Sequence, residues 1–293
     1  MDTMKIHEAL RWASLFLQKH NREERVGEIL LLHHLGMSKV EFLSSLREQV
    51  PQVKLKAFCA DVRRHAETGV PVQHLTGVES FYGRTFHVNG DVLIPRPETE
   101  ELIVGVLEYV EKIDWHGQKT HQLVDVGTGS GIIAITLKLE RQASLDVSAC
   151  DISDDALAVA TANALALGAQ VDFLQGNFLK PLLDKGKKVD IIASNPPYIP
   201  YAEKATLSDT VKNYDPALAL YAEDDGLAAY KKIIAQAVDV LRVPGLIAFE
   251  IGHEQGNAVR EIILQSFPHS NVEVRKDING KDRMVFAVID SRK

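Results

Sequence analysis

Apolar side chains recur at helical spacing through residue 70. Ile6, Leu10, Ala13 and Leu17 form one stripe, and Val26, Ile29, Leu30 and His33 form another. Ser38 followed by Glu41 is a capping-box signature that starts a further helix. Leu55, Phe58, Val62 and Ala66 make a last stripe, closed by Gly69 and Pro71. The spacing predicts a small helical bundle over residues 1–76, whose role is to present a surface. Residues 77–97 change character. β-favouring runs at Ser80–Phe86 and Asp91–Ile94 flank Asn89-Gly90, a hairpin-turn dipeptide, and Pro95 and Pro97 stiffen the exit. The domain boundary is placed in this hairpin linker.

From residue 98 the period alternates between strand and helix. Predicted helices cover Glu98–Lys112, a stretch from Ile132, Asp154–Leu167, Gly226–Leu241 and Glu254–Phe267. Predicted strands cover Gln122–Val126, Leu145–Cys150, Val171–Gln175, Val189–Ser194 and Gly245–Ile251. Val272–Lys276 and Arg283–Ile289 flank Asn279-Gly280 and predict a closing antiparallel hairpin. The expectation for 98–293 is an α/β domain: a seven-stranded, mainly parallel sheet covered on both faces.

Composition narrows the function classes. The 293 residues are 45% hydrophobic and 25% charged, which suits a folded domain with a sizeable core. A net charge of −7 supplies no global field for nucleic acid or anionic membrane. Cys59 and Cys150 stand far apart with no second cysteine or histidine at zinc spacing, so reduced, buried thiols are expected. No apolar run approaches the ~18 residues of a membrane span, and the N-terminal stretch lacks a secretory core. The expected location is the cytoplasm.

Chemistry concentrates at two strand ends. In "LVDVGTGSG", Gly127, Gly129 and Gly131 let the chain turn sharply after a buried strand and approach a ligand. Asp125 precedes the turn, and Asp151 ends the next strand, placed to accept hydrogen bonds from ribose hydroxyls. Ile132 stands where the dinucleotide fingerprint needs glycine, and no phosphate-loop lysine follows. A cofactor with a ribose and no pyrophosphate fits that pattern: S-adenosyl-L-methionine. Phe178 is a candidate to line an adenine slot.

The second strand end reads "SNPPYIP". An amide or amino nitrogen conjugated to a π-system is flat and a poor nucleophile, and an enzyme helps by accepting hydrogen bonds from both of its N–H groups. The Asn195 side-chain oxygen and the Pro196 carbonyl are candidate acceptors. Pro196 and Pro197 restrict the backbone, and Tyr198 offers a ring to stack on the planar group. A rigid turn is the structural alternative. The clamp chemistry alone leaves amide and nucleobase substrates both open.

The motifs "PVQHLTG" (71–77), "FYG" (81–83), "IPRPETE" (94–100), "DVGTGSG" (125–131), "DIS" (151–153), "SNPPYI" (194–199), "DGL" (225–227), "EIG" (250–252) and "VRKDINGKDRMV" (274–285) together resemble the bacterial release-factor glutamine methyltransferases. The resemblance spans nearly the whole chain from residue 70. It implies a Rossmann-like class I methyltransferase domain and methyl transfer from S-adenosyl-L-methionine to the glutamine N5 of the Gly-Gly-Gln loop in peptide chain release factors. It assigns Gly127, Thr128, Gly129, Ser130, Gly131, Asp151 and Phe178 to the cofactor. Asn195, Pro196, Pro197 and Tyr198 are assigned to the substrate amide, with Asn195 also near the donor methyl. It places Arg96, Glu98 and Thr99 along the cofactor's methionine end, where helix capping is the alternative role. Asn177 and Asp215 depart from the family pattern, which commonly has aspartate and glutamate there. The competing reading, a methyltransferase acting on adenine or cytosine, needs a basic surface that the charge balance does not supply. A binding module that has lost its chemistry is disfavoured by the intact glycine turn, Asp151 and Asn195. Neither direct nucleic-acid binding nor a metal is expected.

Overall fold

The computed structural model describes residues 3–290; positions 1, 2 and 291–293, the outermost ends of the two predicted domains, lie outside the described residues. The chain forms two compact units, residues up to 78 with 208–214, and 79–207 with 215 onward.

The first unit is helical: α1 (Ile6–Lys19), α2 (Arg25–Leu35), α3 (Lys39–Ser44), α4 (Gln52–Thr68) and α5 (Val72–Thr76). The predicted stripes point inward, with Ile6, Ala13, Leu17, Leu30, Leu55, Phe58 and Val62 nearly or fully buried. Leu10, Ile29 and His33 are exceptions, the first two partly buried and His33 exposed; Ala9 and Leu31 take inward positions on those turns, because a helix repeats every 3.6 residues and the stripe drifts. The Ser38–Glu41 capping box forms: Glu41 N donates to Ser38 Oγ at 3.3 Å and Ser38 N to Glu41 Oε2 at 2.8 Å. Gly69 ends α4 in the left-handed region at φ 73°.

The hairpin differs from the expectation. Its strands are β1 (Val78–Phe81) and β2 (Arg84–His87), turning through Tyr82 at φ 50° and Gly83 at φ 70°. Two consecutive positive φ angles are what a two-residue hairpin turn needs, and Tyr82-Gly83 supplies them. Asn89-Gly90 turns the chain without starting a strand. Asn89 Oδ1 accepts from Asp91 N at 3.0 Å, a local turn closed by the side chain, and 91–94 form no strand.

In the second unit α6 (Glu98–Lys112) leads into β3 (His121–Val126), α7 (Ile132–Glu140), β4 (Leu145–Asp151), α8 (Asp154–Leu167), β5 (Val171–Gln175), α9 (Lys180–Asp184) and β6 (Val189–Ser194). The long loop after β6 contains β7 (Ile199–Pro200), a 3-10 turn over Tyr201–Thr206, α10 (Asp209–Tyr214), α11 (Ala217–Leu220) and β8 (Tyr221–Ala222). Of these, α10 belongs to the helical unit, where Thr210 Oγ1 donates to Gly69 O and Tyr214 Oη to Thr68 O. Then come α12 (Ala228–Val240), β9 (Leu241–Glu250), α13 (Gly256–Ser266), β10 (Asn271–Lys276) and β11 (Asp282–Ile289).

Seven strands form one sheet in the order β10-β11-β9-β6-β3-β4-β5, with β11 antiparallel to both its neighbours. Alternate residues feed two core layers. Leu123, Ile191, Leu246 and Phe286 face one side, while Val124, Ile192, Ile247 and Val285 face the other. Burial on both faces explains why the strands read as continuous apolar runs. Strand order reverses between β3 and β6, and the crevice at their carboxyl ends is where an open α/β sheet binds ligands.

Candidate functional site

A cavity of ≈ 430 Å³ opens at that crevice, wholly within the second unit. Its floor is the glycine turn. Gly127 and Gly129 sit at φ 73° and 54°, and a Cβ at either would meet nothing within 4 Å, so a ligand can lie directly on this backbone. Gly131 has a different constraint: at φ 85°, its Cβ would stand 2.7 Å from Ile135 Cδ1 and 3.2 Å from Ala160 Cβ. The turn is held from below. Gly127 N and Thr128 N both donate to Cys150 O, at 2.8 and 3.0 Å, and Asn163 Nδ2 donates to Ser130 O at 2.9 Å.

Two carboxylates brace the turn in different ways. Asp125 is fully buried; its Oδ2 accepts from Thr128 Oγ1 at 2.6 Å and Ala134 N at 3.2 Å, while Oδ1 has no hydrogen-bond partner among the described residues. Burial pushes its carboxyl up to about 7 against those two donors. Asp151 lines the cavity and accepts from Gly129 N at 2.9 Å and Ser153 N at 3.0 Å. Each of its oxygens retains lone-pair capacity for a ligand hydroxyl. Phe178 lines the same cavity from a positive φ of 56°, uncommon for an aromatic residue, and packs its ring against the core. Asn177 lines the wall beside it.

The opposite wall comes from the segment before α6 and the loop after β6. Arg96, Thr99, Asn195 and Pro197 all line the cavity; Glu98 does not. Arg96 Nη2 donates to Asp215 Oδ2 at 2.8 Å, so Asp215, one of the two departures, pins the loop ahead of α11 to the segment ahead of α6. Helix α6 has no side-chain cap, so Thr99 is not a capping residue. Instead its hydroxyl donates to Glu250 Oε2 at 2.7 Å and receives Asn195 Nδ2 at 3.4 Å.

Pro196 and Tyr198 stand apart from Asn195 and Pro197. Pro196 is buried and Tyr198 packs against the core beneath α12, neither among the residues lining the cavity. Burial raises the Tyr198 phenol to about 12, with the neighbouring Glu250 carboxylate acting in the same direction, so it stays protonated. The Tyr198 carbonyl accepts from Gln255 Nε2 at 3.0 Å, and Gly226 lies against that same carbonyl. Neither Gln255 nor Glu250 was a predicted site residue. Glu250 stands in the "EIG" motif, yet its partner Thr99 lies 151 positions away; Gln255 stands in no motif and meets Tyr198 from 57 positions away.

Two family descriptions match the chain: PrmC N-terminal domain over residues 8–77 and Methyltransferase small domain over 106–213. The release factor glutamine methyltransferase of Bacillus subtilis (strain 168) is 50% identical over 288 residues, covering 98% of this chain and 99% of the relative. That of Bacillus cereus is 47% identical over 287 residues, covering 98% and 100%. Among solved structures, the catalytic domain of hMettl16 in complex with an RNA hairpin matches with a TM-score of 0.51 at 16% identity, over 82% of each chain. A Thermus thermophilus 16S rRNA N2 G1207 methyltransferase in complex with AdoMet and guanosine gives a TM-score of 0.50 at 16% identity, over 72% of this chain and 49% of that one. At that identity the two structures speak for the fold alone.

Proposed function

The chain belongs to the release factor glutamine methyltransferase family, and on that footing we propose that it transfers the methyl group of S-adenosyl-L-methionine to the glutamine N5 in the Gly-Gly-Gln loop of peptide chain release factors. One observation carries the reading from the geometry. The Asn195 amide sits in the cavity wall with its nitrogen turned to Thr99, which leaves its oxygen as the acceptor for a substrate N–H.

The cavity suits the cofactor. Bare backbone at Gly127 and Gly129 forms a cradle that side chains would fill, Asp151 stands ready for a ribose diol, and Arg96 is already paired rather than waiting for a pyrophosphate. Thr128, Ser130 and Phe178 complete the proposed cofactor contacts. Bound there, the cofactor supplies an electrophilic methyl group and leaves as a neutral thioether.

The chain's own part is to hold a flat, weakly nucleophilic nitrogen in place. Asn195 Oδ1 accepts one of its N–H groups, and the Pro196 carbonyl, from a residue outside the cavity lining, is the proposed acceptor for the other, which draws electron density onto the nitrogen and aligns it. Pro196 and Pro197 fix the spacing of these acceptors, so little ordering entropy is lost on binding. Tyr198 lies behind the proline pair and supports this segment. Once the nitrogen carries the extra methyl, one of its protons is strongly acidic and leaves through the same acceptors to water, so no dedicated base is required. The helical unit is assigned to holding the release factor. The proposed site of action is the cytoplasm; among the described residues no helix is long and apolar enough to cross a membrane.

The relatives' near-complete coverage at about half identity favours a protein glutamine over the nucleobase alternative. Incubating the protein with methyl-labelled cofactor and either a release factor or DNA tests this choice. Label on the release factor is expected; label on DNA alone would overturn the proposal.

A further inference from the structure

Three elements that are distant in sequence converge behind the cavity wall. Glu250 ends β9, Thr99 lies in the first turn of α6, and Asn195 follows β6. Thr99 is 0% exposed and Glu250 2%, so the connection between them is shielded from water. We propose that Glu250, acting through Thr99, sets which end of the Asn195 amide faces the substrate, and is thus a positioning residue for methyl transfer. The inference rests on the function proposed above.

A threonine hydroxyl has one hydrogen. Thr99 commits it to Glu250 Oε2 at 2.7 Å, so its oxygen can only accept, and it faces Asn195 Nδ2 at 3.4 Å. The amide nitrogen is thereby drawn toward Thr99, and toward the Glu250 carboxylate itself, which also accepts from the Asn195 side chain, and the oxygen is left toward the cavity. Protonating Glu250 on Oε2 reverses the chain. The carboxylic acid then donates to Thr99, the threonine hydrogen turns to the Asn195 oxygen, and the clamp presents an NH2 to a substrate NH2. Two donors cannot hold each other.

The groups around Glu250 fit this arrangement. Arg283 on β11 faces it but is shared with Asp277 at 3.2 Å; Glu98 on α6 and the neutral Tyr198 also face it, and Tyr230 on α12 donates to the Glu250 backbone carbonyl at 2.9 Å. Burial, only partly offset by the Thr99 hydrogen bond, Arg283 and the Asn195 hydrogen bond, pushes the Glu250 carboxyl up to about 7. The reversal therefore falls near neutral pH. Asp125 is raised to a similar value, but it lies under the glycine turn and acts on the cofactor side.

The test is turnover of a release factor by the full chain across neutral pH, at saturating cofactor, with cofactor affinity measured separately by calorimetry. Wild type is expected to lose kcat on the acid side, and Glu250→Gln to lose that limb, since the glutamine substrate does not titrate there. Thr99→Val keeps the volume and removes the hydroxyl; its kcat should fall roughly 10- to 100-fold, the worth of one charge-assisted hydrogen bond. Its cofactor affinity should stay near that of wild type, and Thr99→Ser should recover most of the rate. A wild-type protein that methylates no release factor would overturn the functional proposal itself. An active wild type with Thr99→Val equally fast, or an acid limb that survives in Glu250→Gln, would overturn the relay alone.

Discussion

Gly226 offers the sharpest mutational test of how the substrate segment is held. It sits at φ 83°, and a Cβ there would stand 2.1 Å from the Tyr198 carbonyl oxygen and 2.5 Å from Gln255 Nε2. Neither neighbour can yield without consequence. The carbonyl belongs to the backbone of the Asn195–Tyr198 segment, and Gln255 Nε2 ties that carbonyl, at 3.0 Å, to Asp225 O, at 3.3 Å. Gly226→Ala therefore costs about 1–2 kcal/mol for a left-handed alanine and about 1 kcal/mol for each hydrogen bond displaced, roughly 2–4 kcal/mol in all. Relieving the clash also needs a shift of about 1 Å, a displacement that can cost on the order of a hundredfold in rate. Labelled-methyl transfer to a release factor should show that fall in kcat, with cofactor affinity largely retained. Gly280→Ala is the control: φ is 78° but nothing lies within 4 Å, so it should lose about 1–2 kcal/mol of stability and no rate. A Gly226→Ala protein with wild-type kcat would refute the close approach and the support it implies.

Other expectations follow from the same geometry. Asp151→Ala removes the ribose acceptor and the partner of Gly129 N, so calorimetry should show cofactor affinity weakened by roughly ten- to a hundredfold. Asn195→Ala should abolish most turnover while cofactor binding persists, and wild-type rates in that variant would refute the clamp. Gly105→Ala drives a Cβ to 2.1 Å from Phe286 Cζ in the core, and denaturant titration should show a loss of about 1–3 kcal/mol. Stability should also depend on pH through Asp125, whose folded-state carboxyl is raised to about 7 from 3.8. A raised carboxyl makes its contribution fully below the unfolded value and loses it as pH rises through the folded one. Relative to Asp125→Asn, the wild-type thermal unfolding temperature should therefore fall between about pH 4 and 7 and level off above.

Much of the fold was legible because its signals are local. Val171–Gln175, Val189–Ser194, Glu98–Lys112 and Asp154–Leu167 occur with the predicted bounds, each marked by a clean period and a clear stop. The hairpin turn was misplaced because Asn89-Gly90 and Tyr82-Gly83 both satisfy the need for a left-handed residue, and only sheet pairing chooses between them. The short pieces after β6 carry too few residues for any period to show. In the site, the glycine turn, Asp151 and Asn195 stand out because each is tied to one strand end. Glu250 and Gln255 do not, and Thr99 stood out only for the cofactor's methionine end or a helix cap, because their meaning lies in partners that only the folded sheet brings near. A lone glutamate before Ile251-Gly252 carries no mark of the threonine it holds.

Mass spectrometry of a release factor, after incubation with the protein and S-adenosyl-L-methionine, decides whether this cavity methylates one glutamine side chain. The expected product carries the mass of a single methyl group on the glutamine of the Gly-Gly-Gln peptide, absent when that glutamine is replaced by glutamate. Methylation elsewhere on the release factor, or an unmodified Gly-Gly-Gln peptide from a protein that binds the cofactor, would contradict the proposed function.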